Sequence, residues 1–132
     1  MKSTLFRFIF VPLLALSLSH VANAADVAVI SNSGISISEG EVKDVFLGEK
    51  QFAGSTKLIP VDNSSLQESF LSQFMQLSAA KYNNLWTKKS FRDGLTPPEV
   101  KAGDAAVIDY VKRTPGAVGY VSTAPSGVNV AR

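Results

Sequence analysis

Val107-Ile108-Asp109-Tyr110-Val111-Lys112-Arg113-Thr114-Pro115-Gly116-Ala117-Val118-Gly119-Tyr120-Val121 changes its apolar spacing from helical to extended within a few residues. Val107, Ile108 and Val111 share one face of a helix that begins near Gly103, with Asp104 near its positive end and Lys112-Arg113 near its negative end. Pro115-Gly116 stops the helix, and Ala117 to Val121 is expected as a strand. A helix that delivers a strand through a short turn is the unit of an α/β fold, a sheet covered by helices.

The same alternation runs through the preceding chain. Asp26 to Ser31 is a β-branched run ended by Asn32-Ser33-Gly34, and a brief second strand is expected over Ile35 to Ile37. Ser38 with Glu41 forms a capping-box pattern, after which Val42, Val45 and Phe46 recur at helical spacing until Gly48. Lys57 to Val61 reads as a strand that Pro60 pushes toward a sheet edge or its own last residue. Ser64 and Ser65 are alternative caps for a helix whose inward face is Leu66, Phe70, Phe74 and Leu77. A further helix is expected from Ser78, burying Tyr82, Leu85 and Trp86. It gives way to an irregular stretch from Phe91 to Pro98, and Val128 to Val130 is a candidate terminal strand.

The first 24 residues have the plan of a secretory signal: Lys2 and Arg7, an apolar run from Phe8 to Leu18, then Ala22-Asn23-Ala24 as the cleavage site. Residues 25–132 are then one domain, large enough for a core and too small for two lobes of normal size. Of the 13 basic side chains two lie in the leader, leaving 11 against 11 acidic ones, so charge gives no support for a nucleic-acid or anionic-membrane partner. After cleavage no segment is expected to insert in a membrane.

The chain has no cysteine, and its single histidine, His20, lies in the leader. That removes disulfides, the two commonest zinc ligands and any imidazole general base. No metal, cofactor or nucleophile–base set is expected, and the chain reads as a non-enzyme.

Three stretches read together resemble the periplasmic phosphate-binding family, the substrate-binding subunits of ABC transporters. They are Val45-Phe46-Leu47-Gly48-Glu49-Lys50, then Trp86 through Phe91 and Gly94 to Pro97-Pro98, then Thr114-Pro115-Gly116-Ala117-Val118-Gly119-Tyr120-Val121. The resemblance runs from about Val27 to Val121. It implies a single-lobe periplasmic-binding-protein-like domain with a small mixed sheet flanked by helices, located in the periplasm. It also implies phosphate or a similar oxyanion as ligand, and a membrane permease or a second copy as partner completing the site.

In the family a serine-glycine-threonine turn opens the helix whose amides hold phosphate. Here that stretch is Asp62-Asn63-Ser64-Ser65-Leu66-Gln67-Glu68-Ser69-Phe70. The hydroxyls of Ser64 and Ser65 remain, no glycine-threonine follows, and Gln67 stands where short relatives carry arginine. Helix N-termini present free amides to anions, so Ser64, Ser65 and the amides of Leu66 and Gln67 are the expected anchors. Asp62 and Asn63 are candidates to accept a proton-borne hydrogen bond from phosphate. Lys81, Lys88, Lys89 and Arg92 offer a second possible anion contact. The alternative to solute binding is an envelope interaction module that keeps the lobe without its ligand.

Overall fold

The computed structural model describes residues 26–132; the expected leader, residues 1–24, lies outside the described residues. The first strand, β1 (Ala28–Ser31), is followed by α1 (Glu39–Phe46), whose N-terminus has the expected capping-box residue: Glu41 Oε2 accepts the Ser38 amide at 3.3 Å. Gly48 takes φ +71 just beyond this helix, the left-handed conformation in which helices commonly end. Ile35 to Ile37 is irregular rather than a strand. Ile35 and Ile37 are nevertheless buried, so their apolar character serves the core without a ladder.

A small hairpin, β2 (Phe52–Ala53) with β3 (Thr56–Lys57), precedes β4 (Ile59–Asn63). The expected strand is therefore shifted C-terminally, and Asp62 and Asn63, which lie beyond its expected end at Val61, are its last residues. Pro60 sits in an internal strand without cost. Ile59 donates to Gly116 O on the β6 side, so the missing N–H of Pro60 faces β5, whose pairing begins only at Val61.

Helix α2 (Gln67–Phe70) runs into a π-helical turn, Leu71–Met75, that ends at Gln76 with φ 52. Neither serine caps it. The cap position is Leu66, without a side-chain cap bond, because the Ser65 hydroxyl is turned to Asn63. Helix α3 (Ala79–Asp93) is capped by Ser78, whose Oγ accepts the Lys81 amide at 3.2 Å, and ends at Gly94 with φ 65. Phe91 is thus helical, contrary to expectation. The chain then forms β5 (Glu99–Lys101), a strand that Pro97-Pro98 concealed in the sequence. Helix α4 (Asp104–Arg113), β6 (Ala117–Val121) and β7 (Asn129–Val130) complete the fold.

The five-stranded sheet has the order β5-β4-β6-β1-β7. β4 is parallel to β5 and to β6, while β1 is antiparallel to β6 and β7 to β1. All five residues of β6 are buried, as expected of a central strand covered on both faces. Val118 and Tyr120 join Phe46, Phe70, Trp86 and Met75 in the larger core beneath α1, α2 and α3. Ala117 and Val121 pack with Val61, Val107 and Val111 beneath α4. This is a mixed α/β single lobe.

The three motifs that carry the resemblance are fold determinants in this chain. Trp86 Nε1 donates to Phe46 O at 3.1 Å, and a Cβ on Gly48 would lie 3.0 Å from the Trp86 ring. The helix-end motif and the tryptophan motif therefore specify each other. In the third motif, Gly116 has φ +81, and a Cβ there would stand 2.0 Å from Lys57 O.

Candidate functional site

The expected site lies where β4 ends and α2 begins. Successive residues of a strand face opposite sides of the sheet, so Asp62 and Asn63 enter different surroundings. Asp62, 1% exposed, turns toward α3. Its Oδ1 accepts the Tyr120 hydroxyl and its Oδ2 the Tyr82 hydroxyl, both at 2.9 Å. Gln67 also hydrogen-bonds its carboxylate. Burial raises the Asp62 pKa above the usual carboxylate range, opposed by these three hydrogen bonds, while burial and then the Asp62 charge push Tyr82 and Tyr120 far above ordinary phenols. Asp62 is consequently a buried carboxylate whose two oxygens are already hydrogen-bonded within the chain.

Asn63 turns toward α4 and is fully buried. Its Nδ2 donates to Asp104 Oδ1 at 2.8 Å and to Tyr120 O at 2.9 Å. Its Oδ1 accepts the Ser65 amide at 3.1 Å and the Ser65 hydroxyl at 2.7 Å, and its carbonyl accepts the Leu66 amide at 3.1 Å. The Ser64 amide donates across the sheet to Lys101 O at 3.0 Å. Three backbone donors expected to face an anion, those of Ser64, Ser65 and Leu66, are therefore already engaged inside the chain.

What remains open is the next step along the turn. Phe70 donates to Leu66 O at 2.9 Å, which leaves the amides of Gln67, Glu68 and Ser69 as the first-turn donors of α2. Ser64 and Ser65 are exposed, Gln67 and Ser69 half-buried, and Leu66 buried. Of the expected anchors, the structure brings the Ser64 hydroxyl and the Gln67 amide to one turn. The Leu66 side chain is buried, as its inward-facing position implies, and its amide is held by Asn63 O.

Asp104 is a residue that sequence reasoning assigned only to the helix dipole. It ties α4 to the end of β4 and to the residue that follows β6: Oδ1 accepts Asn63, while Oδ2 accepts the amide of Ser122 at 3.0 Å and the Ser122 hydroxyl. Desolvation opposes its ionisation, but the Ser122 and Asn63 hydrogen bonds carry its pKa below the usual value. Tyr82 and Tyr120 were legible as apolar periodic positions, with no local signal that their hydroxyls converge on one carboxylate.

Two of the basic residues of α3 are paired with carboxylates. Lys89 lies 3.6 Å from Glu49 and Arg92 3.3 Å from Asp93, while Lys81 and Lys88 are exposed. Beside the turn, a groove of about 550 Å³ is lined by Asp62, Gln67, Tyr82, Phe91, Pro98 and Val100, among others. Among the described residues, no group of three His, Cys, Asp or Glu could hold a metal ion, and no helix is long and apolar enough to cross a membrane.

No protein-family model and no curated protein matches this chain. Among solved structures, it is similar to a putative phosphate ABC transporter substrate-binding protein with bound phosphate from Clostridium perfringens. The TM-score is 0.57 at 14% identity, over 81% of this chain. The aligned part is 44% of that protein, so this chain spans under half its length. The described residues have the fold of a single lobe of a periplasmic-binding-protein-like domain.

Proposed function

We propose that the chain is an exported solute-binding lobe that holds phosphate or a related oxyanion at the turn between β4 and α2, within or accessory to an ABC transporter. The observation that carries this reading is an exposed serine, Ser64, in the turn that leads from the carboxyl end of a parallel strand into the first-turn amides of Gln67, Glu68 and Ser69. Open α/β sheets bind ligands at such strand ends, and helix N-termini favour anions. The likeness to a phosphate-bound protein supports the ligand class.

The expected affinity is low. Two or three charge-assisted hydrogen bonds contribute about 1.5–3 kcal/mol each before ordering and desolvation are subtracted, and the dipole about 0.3–1. The exposed carboxylate of Glu68 in the first turn works against an incoming anion. A net 4 kcal/mol or so corresponds to about a millimolar dissociation constant, and a second wall from a permease or another copy would strengthen it by excluding water. Calorimetry with phosphate, sulfate and molybdate tests the reading. Saturable heat that weakens in Ser64→Ala supports it, whereas flat traces at millimolar anion reject it.

A second reading is favoured by one observation. Asn63 and Lys101 occupy the amides that the family turn would offer, which is the state expected of a lobe kept as an envelope interaction module after losing its ligand. Such a module would give flat anion titrations and recover a stoichiometric partner after gentle cross-linking.

A further inference from the structure

β5 is one edge of the sheet, pairing only with β4 among the described residues. The carbonyl of Lys101 accepts the Ser64 amide, so Glu99 and Lys101 turn their peptide groups toward β4. In a parallel ladder the residue between them must turn its own groups the other way. The N–H and C=O of Val100 therefore face the open edge.

The side chains along this edge are self-complementary. Glu99 and Lys101 share one face and meet at 3.0 Å, with the Lys101 ammonium over the Tyr110 ring. Val100, 56% exposed, is on the other face and lines the groove with Phe91, which is 95% exposed. If a second β5 runs antiparallel about an axis at Val100, each Glu99 stands opposite the other copy's Lys101. The two Val100 residues then exchange both of their free hydrogen bonds, and the apolar edge residues of both copies come together.

We propose that two copies of this chain associate through β5 in this antiparallel register, forming one sheet continuous through both molecules. Charge complementarity selects a second copy as the occupant, because Glu-Val-Lys read backward is its own partner. A short edge strand bearing a lone lysine would read as protection against pairing; opposite charges flanking an outward-facing apolar residue do the reverse. The joint also lies beside Ser64, through the Ser64–Lys101 bond, so the second copy would wall the turn. That consequence rests on the proposed anion site, while the joint does not.

Sedimentation of the purified chain without added anion, up to about 1 mM, is the test, since a contact this small is expected to associate weakly. A dimer is expected that weakens about tenfold or more in Lys101→Glu and in Glu99→Lys, where like charges face each other. An equimolar mixture of these two variants should associate at least as well as the parent, as should the exchange E99K/K101E.

Should the charge variants fail to fold, Val100→Cys decides. The chain has no other cysteine, and facing residues of a hydrogen-bonded antiparallel pair lie about 5.5 Å apart, within disulfide reach. Oxidation should give a covalent dimer well ahead of Ser126→Cys, placed before the opposite edge strand. A monomer throughout, an association indifferent to both reversals, or equal cross-linking by the two cysteine variants would each overturn the proposal.

Discussion

The Tyr120 hydroxyl on β6 donates to Asp62 Oδ1 on the neighbouring β4 at 2.9 Å, so the acidic residue that precedes the expected ligand turn belongs to the core. Removing it strands two phenols. Asp62→Ala, which leaves the Tyr82 and Tyr120 hydroxyls without their acceptor, should cost about 2–5 kcal/mol in urea unfolding. Tyr120→Phe, which removes one donor of the three, should cost less.

The same cluster sets a pH dependence. Both phenols have folded pKa values raised above their usual 10. Their contribution is therefore complete below pH 10 and is lost as pH rises further, because the unfolded chain releases protons that the folded chain keeps. Each such phenol adds a slope of about 1.4 kcal/mol per pH unit above 10. Tyr82→Phe should roughly halve the steepness of alkaline unfolding followed by circular dichroism. An unchanged slope would mean that Tyr82 titrates normally.

Asn63 competes with any anion for Ser65. Asn63→Ala frees the Ser65 amide and hydroxyl and leaves Asp104 and Tyr120 O without their shared donor, at a cost of about 2–4 kcal/mol. The variant should be less stable in thermal melts yet bind phosphate more tightly than the parent. Loss of stability with unchanged affinity would show that Ser65 does not face the ligand.

Gly116 and Gly127 share a positive φ and differ in surroundings. A Cβ at Gly116 meets Lys57 O at 2.0 Å, whereas at Gly127 it meets nothing within 4 Å. Gly116→Ala should cost more than about 3 kcal/mol, and Gly127→Ala only about 1. Equal midpoints in urea would contradict this assignment.

Elements with strong local signals were legible: the capped α1, the dipole-matched α4, and β6 after its Pro-Gly stop. β5 is hidden because three residues after paired prolines, two of them exposed and Lys101 half-buried, carry no period, and α3 runs on through Phe91 because the first breaker is Gly94. The site was less legible than the fold. The sequence places hydroxyls and amides at residues 64 to 67, but whether those amides are open depends on Asn63 and on Lys101, which is distant in sequence. No local pattern records that an asparagine side chain will fill the turn its own backbone creates.

The most direct measurement is a phosphate titration followed by backbone amide NMR of the purified chain. Saturable shifts concentrated at Gln67, Glu68 and Ser69, with a dissociation constant in roughly the millimolar range and little change at Leu66, are the predicted result. Absence of saturation at these three amides, or shifts confined to the lysines of α3, would contradict anion binding at this turn.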